Sequence, residues 1–298
     1  MRTVMIIGGS GYLGNSVLKA LLTEYDVVYA TQHKTPVLIH EKIQVIKGGL
    51  NGVSSELLAR IKPSCIFHCG RPTFSGFRYL GRKLAAQKAY GLNKKLIRDI
   101  KKSNIATKLI FASGSLAYGN SPQPHDEFAK LNPLSYSRQY IKGELPVLNE
   151  KGTHKFKVLV LRFPWLLGNA SWFKWFYLQN IQKSGEIPLF GKGDNYMSLI
   201  DVKDASALMT KYAELVGETG VYNIFSPVQI IQKEFAEIVA RVFKAEIVSY
   251  SKIYPKLETA ALDAFQSNII LETRHPSVLN AFKFTNPEET LTAVFQDL

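Results

Sequence analysis

The chain has 298 residues, of which 46% are hydrophobic and 20% are charged. This composition is close to that of soluble globular proteins, and it excludes a disordered tail protein, a collagen-like repeat and a coiled coil. The length suits one large domain or two smaller ones. Lysine and arginine number 37 against 24 aspartates and glutamates, so the formal net charge is +13.

The positive charge is spread over the sequence in short pairs such as Lys94-Lys95, without a long basic run. This pattern favours a solvated surface or an anionic small-molecule partner over nucleic acid. No run of about 18 apolar residues is present, so neither a membrane span nor a membrane partner is predicted. Cys65 and Cys69 are too few for a disulfide scaffold and lack further ligands at metal-site spacing. We predict reduced thiols, no metal and a cytoplasmic location.

Short β-branched runs alternate with longer helical patterns through the first half of the chain. The run from Thr3 to Ile7 is apolar and ends in glycines, as expected for a strand buried on both faces. Ser54 is a suitable N-cap for a short helix that Pro63 ends. The predicted strands cover residues 3–7, 26–30, 43–46, 65–69, 108–112 and 158–161, and the predicted helices cover 13–22, 54–61, 82–102 and 135–150. This order predicts an α/β fold with a doubly wound parallel sheet.

The pattern changes after Pro164. Three tryptophans, two phenylalanines and one tyrosine lie between residues 165 and 177. Such aromatic clusters are usually core, and the wall of a substrate pocket is the alternative. A loop-rich stretch over 185–193, a strand over 221–225 and a helix over 232–243 follow. We predict a first domain over residues 1–164 and a small mixed C-terminal cap over 165–298, which interleaves with the last sheet elements at 220–245.

Four glycines, at positions 8, 9, 11 and 14, separate the first strand from the first helix. They fit G-x-x-G-x-x-G from Gly8 and G-x-G-x-x-G from Gly9, in the strand-then-helix context that a dinucleotide-binding loop requires. Glycines there allow a tight turn and let backbone N–H groups approach a pyrophosphate, which the helix N-terminus also favours. The predicted cofactor-binding residues of this loop are Gly8, Gly9, Ser10, Gly11, Tyr12, Leu13 and Gly14.

The end of the second strand commonly selects NAD through an acid that binds the ribose 2′-hydroxyl, or NADP through a cation that binds the 2′-phosphate. Residues 30–34 contain no acid, and Asp26 lies at the other end of the strand. Gln32, His33 and Lys34 are therefore predicted cofactor contacts. The two basic residues favour NADP over NAD.

Motifs beyond the glycine loop lie at residues 66–70, 111–119, 126–136, 162–168, 187–193 and 200–204. With these the chain resembles, over nearly its whole length, the extended short-chain dehydrogenase/reductase family, in particular its NAD(P)-dependent epimerase/dehydratase and sugar-reductase group. The resemblance implies a Rossmann-like fold, a bound NAD(P) and oxidoreductase chemistry. It also implies cofactor contacts at Leu50, Cys69, Gly70, Tyr140 and Phe163.

The resemblance implies a catalytic tyrosine at Tyr136 and a polarising hydroxyl at Ser115 or Ser113. In that family a lysine four residues after the tyrosine holds the nicotinamide ribose and lowers the pKa of the tyrosine. That position holds Tyr140 here, and Lys142 lies on another face of the helix. An unperturbed tyrosine has a pKa of about 10 and is a poor base at neutral pH.

Two functions remain open. One is an NAD(P)-dependent oxidoreductase or epimerase/dehydratase that acts by hydride transfer on a sugar-like alcohol or ketone. The other, favoured by the missing lysine, is a catalytically degenerate NAD(P)-binding regulator or complex subunit. Residues 196–199 lack the basic residue that many nucleotide-sugar enzymes of the family carry there, which counts against a nucleotide-diphosphate sugar. By the same resemblance, helices such as 82–102 imply a homodimer.

Overall fold

The computed structural model describes residues 2–72, 78–250 and 258–298. The chain divides into two compact units, each assembled from several segments. The first unit comprises Met1–Ser113, Gln139–Arg162 and Ser206–Tyr222. The second unit comprises Gly114–Arg138, Phe163–Ala205 and Asn223–Leu298.

Strands and helices alternate through the first half of the described chain, as the sequence predicts. The strands are β1 (Thr3–Ile7), β2 (Val27–Gln32), β3 (Ile43–Lys47), β4 (Cys65–His68), β5 (Thr107–Gly114), β6 (Phe156–Phe163), β7 (Trp165–Leu167), β8 (Glu186–Phe190), β9 (Tyr196–Asp201), β10 (Gly220–Asn223), β11 (Gln229–Ile231) and β12 (Glu246–Tyr250). The helices are α1 (Tyr12–Glu24), α2 (Ser55–Ile61), α3 (Arg78–Ser103), α4 (Arg138–Leu148), α5 (Gln179–Ser184), α6 (Val202–Leu215), α7 (Gln232–Phe243), α8 (Thr259–Phe265), α9 (Pro276–Asn280) and α10 (Pro287–Gln296).

The first unit is built on a seven-stranded sheet with the order β10-β6-β5-β4-β1-β2-β3. Strand β1 pairs in parallel with both β2 and β4, and parallel pairing continues to β3 on one side and to β5 on the other. The strand order therefore reverses between β1 and β4. In sheets of this type, ligands bind beyond the carboxyl ends of the strands at such a switch point. The predicted α/β, doubly wound parallel sheet is confirmed.

The centre of this sheet is apolar because its strands are covered on both faces. Met5, Ile66 and Leu109, on three neighbouring strands, are fully buried. Helices α3 and α4 pack closely, since a Cβ atom on Gly143 would lie 2.8 Å from the Cβ of Ala89. This close packing fixes the position of α4 within the first unit.

The second unit contains a three-stranded sheet (β11-β9-β7) and a two-stranded sheet (β12-β8) around an aromatic core. Phe173 and Tyr177 are fully buried, and their rings stack with centroids 5.6 Å apart. The rings of Trp165 and Phe265 stack at 4.9 Å. The interpretation of the aromatic cluster as core is thus confirmed, with the exception of Trp175, which is 59% exposed.

Two sequence predictions are wrong in local structure. The stretch over 185–193, predicted as loop, contains β8, which accommodates Pro188 because it is an edge strand of a two-stranded sheet. The helix predicted over 135–150 begins only at Arg138. The N–H groups of Ser137 and Arg138 both donate to the carbonyl of Leu134, and this turn holds Tyr136 outside the helix.

Candidate functional site

The glycine loop lies at the switch point between β1 and β4. Gly8 has a φ of +85°, a conformation that favours glycine, and its N–H donates to Thr31 Oγ1 at 3.3 Å. The N–H of Gly11 donates back to the carbonyl of Gly8 at 3.0 Å and closes the turn. Gly11 is the N-cap of α1, whose first turn has neither an acidic residue nor a side-chain cap. The first N–H groups of α1 therefore suit an anion.

Close packing of the backbone requires glycine at positions 8 and 14, and it leaves little room at Gly70. A Cβ atom on Gly8 would lie 2.5 Å from the Cα and N of Gly70, the glycine that follows β4. A Cβ atom on Gly14 would lie 2.0 Å from the carbonyl oxygen of Gly8. A Cβ atom on Gly70 would lie 3.2 Å from Cγ2 of Ile7. The ends of β1, β4 and the start of α1 thus meet without side chains between them.

Gly9 and Gly11 are not required by packing. A Cβ atom on Gly9 would make an ordinary 3.4 Å contact with Leu18 Cδ2. A Cβ atom on Gly11 would meet one atom within 4 Å, the carbonyl oxygen of Gly8 at 3.3 Å, and Gly11 is exposed. The open side of the loop therefore suits a group that approaches the backbone closely, such as a pyrophosphate. The other predicted loop contacts, Ser10, Tyr12 and Leu13, are half-buried beside it.

The end of β2 presents two basic residues. His33 and Lys34 are exposed, and the Cβ of His33 lies 3.2 Å from where a Cβ on Gly49 would be. The side chain of Gln32 instead accepts the N–H of Val37 at 3.2 Å and supports the loop. The short 3₁₀-helix Gly49–Gly52 carries Leu50, a half-buried residue that packs against the core of the first unit.

His68 is a core residue rather than a ligand. It is 2% exposed, and its Nε2 donates to Asn93 Oδ1 at 3.0 Å, while the amide of Asn93 donates to the carbonyl of Gly143. Burial lowers the pKa of His68 to about 4, so the ring is neutral at pH 7.

The predicted strand over 65–69 ends one residue early, and Cys69 N–H donates to the carbonyl of Ile7. Within residues 2–72, 78–250 and 258–298, no three His, Cys, Asp or Glu residues form a metal-binding group.

The structure brings Ser115 and Tyr136 onto adjacent backbone segments of the second unit. The carbonyl of Leu116 accepts the N–H of Leu134 at 3.3 Å and the hydroxyl of Ser137 at 2.8 Å. These bonds fasten the turn that carries Tyr136 to the segment that carries Ser115. Ser115 is 2% exposed, and Tyr136 is half-buried.

Ser113 and Tyr140 belong to the first unit, where Ser113 has a different partner. Its hydroxyl donates to Glu144 Oε2 at 2.6 Å. Burial raises the pKa of Glu144 to about 7, although the Ser113 hydrogen bond and the positive charges of Arg71 and Arg162 act in the opposite direction. Sequence reasoning missed Glu144. Its spacing, four residues after Tyr140 on the same helix, is a signal that would have placed the two on one face.

Arg71 is a second residue that sequence reasoning missed. Its guanidinium carbon lies 3.8 Å from the centroid of the Tyr140 ring, which is a close cation–π contact. Tyr140 is half-buried near the start of α4. Phe163, predicted to contact the cofactor, is 3% exposed at the end of β6.

A family model matches the part of the chain that contains the glycine loop and the candidate catalytic residues. A model of the NAD dependent epimerase/dehydratase family matches residues 4–224, from β1 to the residue after β10. The chain belongs to this family. The matched range includes the glycine loop and the positions of Ser113, Ser115, Tyr136 and Tyr140. Epimerases and dehydratases of this family are enzymes, and the predicted resemblance to the group is confirmed.

Several solved structures share the fold at low sequence identity. WbmH from Bordetella bronchiseptica, in complex with NAD+, is 18% identical with a TM-score of 0.77, over 100% of this chain and 99% of that chain. The UDP-N-acetylglucosamine 4-epimerase from Methanobrevibacter ruminantium M1, in complex with UDP-N-acetylmuramic acid, is 19% identical with a TM-score of 0.78, over 99% and 97%. The dTDP-glucose 4,6-dehydratase from Bacillus anthracis, in complex with NAD, is 16% identical with a TM-score of 0.76, over 99% and 96%. No curated protein sequence matches the chain.

No helix among the described residues of this epimerase/dehydratase family member combines the length and apolar character needed to cross a membrane.

The shifted pKa of Glu144 predicts a pH dependence of stability. Its pKa rises from 4.5 to about 7 on folding, so the folded state holds the proton more tightly than the unfolded state. The resulting stability is complete below pH 4.5 and is lost as the pH rises to about 7, by up to about 3 kcal/mol. His68 acts oppositely, because its pKa falls on folding and stability is lost as the pH drops from 6.5 to about 4.

The pH dependences of stability from Glu144 and His68 have opposite signs in the wild-type chain. The variant Glu144→Gln removes the first and leaves the second. We expect the difference in unfolding free energy between wild type and Glu144→Gln to be larger at pH 5 than at pH 7, by about 2 kcal/mol. Urea unfolding at both pH values measures it, with Glu41→Gln, at an exposed glutamate, as the control for charge. A difference that is the same at both pH values would contradict the assignment.

Proposed function

We propose that the chain binds NAD or NADP in its glycine loop and transfers hydride to or from a sugar-type alcohol or ketone, as an epimerase or dehydratase. The observation that carries this proposal is the loop itself, with Gly8 packed on Gly70 at the β1/β4 switch point and the space over Gly11 open. Gly8, Gly11, Gly14 and the first N–H groups of α1 would hold the pyrophosphate. The nicotinamide, when bound, supplies the hydride acceptor and donor.

Tyr136 is the proposed general acid/base, and Ser115 is the proposed hydroxyl that orients the reacting oxygen. Their support is the pair of hydrogen bonds through Leu116 that fastens the two segments together. Ser113 is the less suitable hydroxyl, because it already donates to Glu144. A tyrosine that holds and releases the proton of the substrate oxygen typically contributes about 10²- to 10⁴-fold to the rate.

We propose NADP as the preferred cofactor because His33 and Lys34 are exposed at the end of β2, while Asp26 lies at its start and accepts the N–H of Arg2. A cation there would pair with the 2′-phosphate. The solved neighbours WbmH and the Bacillus anthracis dehydratase hold NAD instead. Binding of NADP compared with NAD, for the wild type and for Lys34→Gln, therefore decides this point.

The proposed substrate is a sugar, either as a sugar nucleotide or as a free sugar without the diphosphate. The solved neighbours include proteins with UDP-glucose and with UDP-N-acetylmuramic acid bound, which supports a sugar nucleotide. Residues 196–199 in β9 contain no basic side chain, which favours a sugar without the diphosphate. Proton NMR of a panel of UDP-hexoses and of the matching free sugars, each incubated with the enzyme and cofactor, distinguishes the two.

We expect Tyr136→Phe to reduce turnover of the substrate found in this panel by at least about 100-fold while dinucleotide affinity stays unchanged. Tyr90→Phe is the matched control, because Tyr90 is 44% exposed on α3. Full activity in Tyr136→Phe would remove this residue from the mechanism.

A catalytically degenerate dinucleotide-binding regulator or subunit is the second candidate. Tyr140 at the position of the lysine in the resembled family favours it. This candidate predicts dinucleotide binding by wild type and Tyr136→Phe alike, without turnover of any sugar in the panel.

We further propose a homodimer through α3 and α4, which expose Leu84 (42%) and Leu145 (37%). Light scattering is expected to show a dimer for the wild type and a monomer for Leu84→Lys.

The cytoplasm remains the proposed location, because Cys65 and Cys69 are both free thiols.

A further inference from the structure

Arg71 directly follows Gly70, the residue whose backbone packs against the glycine loop. The Cα and N of Gly70 lie 2.5 Å from where a Cβ of Gly8 would be. Both residues lie beyond the carboxyl end of β4, at the switch point of the sheet. The backbone at Arg71 is therefore positioned by the same contact that shapes the loop.

The side chain of Arg71 is exposed, but its guanidinium group packs against one aromatic ring. It lies over the Tyr140 ring, with 3.8 Å between the guanidinium carbon and the ring centroid. An arginine is well suited to such stacking because its charged group is planar and delocalised. Tyr140 is in turn fixed by α4, which packs on α3 through Gly143.

Arg71 also interacts electrostatically with the buried carboxyl group of Glu144. Its positive charge lowers the pKa of Glu144, the carboxyl group that accepts the hydroxyl of Ser113 at 2.6 Å. Arg71, Tyr140 and Glu144 thus form one connected group in the first unit. A fixed cation at this edge acts on any charged ligand of the loop, since Coulomb interactions at a partly screened site extend over several ångströms.

We propose that Arg71 is a positioning residue for the cofactor, held by Tyr140 so that its charge favours the reduced over the oxidised dinucleotide. The inference rests on the proposed function, because it assumes that the loop binds NAD or NADP. The oxidised nicotinamide carries a positive charge that the reduced ring lacks, so a nearby cation penalises the oxidised form. Tyr140 provides the stacking surface, and its role is to hold the guanidinium.

The test is the ratio of dissociation constants for the oxidised and the reduced form of the same dinucleotide, measured by calorimetry at low salt. We expect Arg71→Gln to lower this ratio by about tenfold relative to wild type. Arg60→Gln is the matched control, since Arg60 is exposed in the last turn of α2, which precedes β4 at the opposite edge of the sheet. Its ratio is expected to equal that of the wild type. Circular dichroism checks that each variant is folded.

Two further variants test the role of Tyr140. Tyr140→Leu is expected to lower the ratio as much as Arg71→Gln does, and the double variant is expected to show no additional fall. Adding Tyr140→Lys to Arg71→Gln is expected to restore the ratio, because it returns a cation to the same place. Additive losses would overturn the role of Tyr140 as the holder of Arg71.

The outcomes separate this inference from the proposed function. If wild type binds both forms and Arg71→Gln keeps the wild-type ratio, the inference is overturned and the proposed function stands. If wild type binds neither NAD nor NADP in either form, the proposed function is overturned and this inference with it.

Discussion

Replacing Gly11 with alanine is expected to abolish dinucleotide binding and to leave the fold intact. The added methyl group would lie 3.3 Å from one protein atom, the carbonyl oxygen of Gly8, and a shift of a few tenths of an ångström in that carbonyl would accommodate it. Gly11 has a φ of −79°, which any residue adopts without strain. The methyl group would instead occupy the open side of the loop, where a pyrophosphate approaches the backbone. We expect a loss of affinity of about 100-fold or more, from one closely placed clash and the displaced hydrogen bonds.

Gly9→Ala is the matched control for this experiment. Its methyl group would make an ordinary contact with Leu18, on the buried side of the same loop. Calorimetry on both variants, with thermal unfolding as the check on the fold, measures the effect. Undiminished affinity in Gly11→Ala, together with a native melting transition, would contradict the placement of the cofactor.

Replacing Gly14 with alanine is expected to have a different result, a large loss of stability rather than loss of ligand binding alone. The added Cβ would lie 2.0 Å from the carbonyl oxygen of Gly8 and 3.2 Å from the Cα of Gly9. Backbone cannot yield as a flexible side chain does, so α1 would have to move away from β1. We expect a loss of about 3 kcal/mol or more in unfolding free energy.

Gly91→Ala provides the control for Gly14→Ala, because Gly91 also lies within a helix. Apart from the adjacent backbone of the helix itself, nothing lies within 4 Å of a Cβ at Gly91, so alanine there is expected to raise the unfolding free energy by about 1 kcal/mol. Urea unfolding of both variants gives the comparison. A Gly14→Ala protein as stable as wild type would show that the loop does not pack as described.

The glycine loop is predictable from the sequence because each of its requirements is local. The apolar run before Gly8, the spacing to Gly14 and the helical pattern after it all lie within one short segment. The parallel sheet is predictable for a related reason, since alternating strands and helices leave few arrangements open. The N-cap at Ser54 is equally local, and its hydroxyl does accept the N–H of Leu57.

The remainder of the site is not predictable because it depends on contacts between distant segments. Arg71 follows β4, while Tyr140 and Glu144 belong to α4, and only the tertiary fold brings these distant segments together. The start of α4 is a similar case. The sequence pattern extends the helix over Tyr136, but the carbonyl of Leu134 accepts two N–H groups and makes a turn instead.

Titration of the wild-type protein with NAD+, NADH, NADP+ and NADPH tests the central claim most directly. The account predicts saturable binding of at least one oxidised and reduced pair with dissociation constants of about 1–100 μM, and no binding of that pair to Gly11→Ala. Absence of binding for all four dinucleotides, in a protein that unfolds cooperatively, would contradict it.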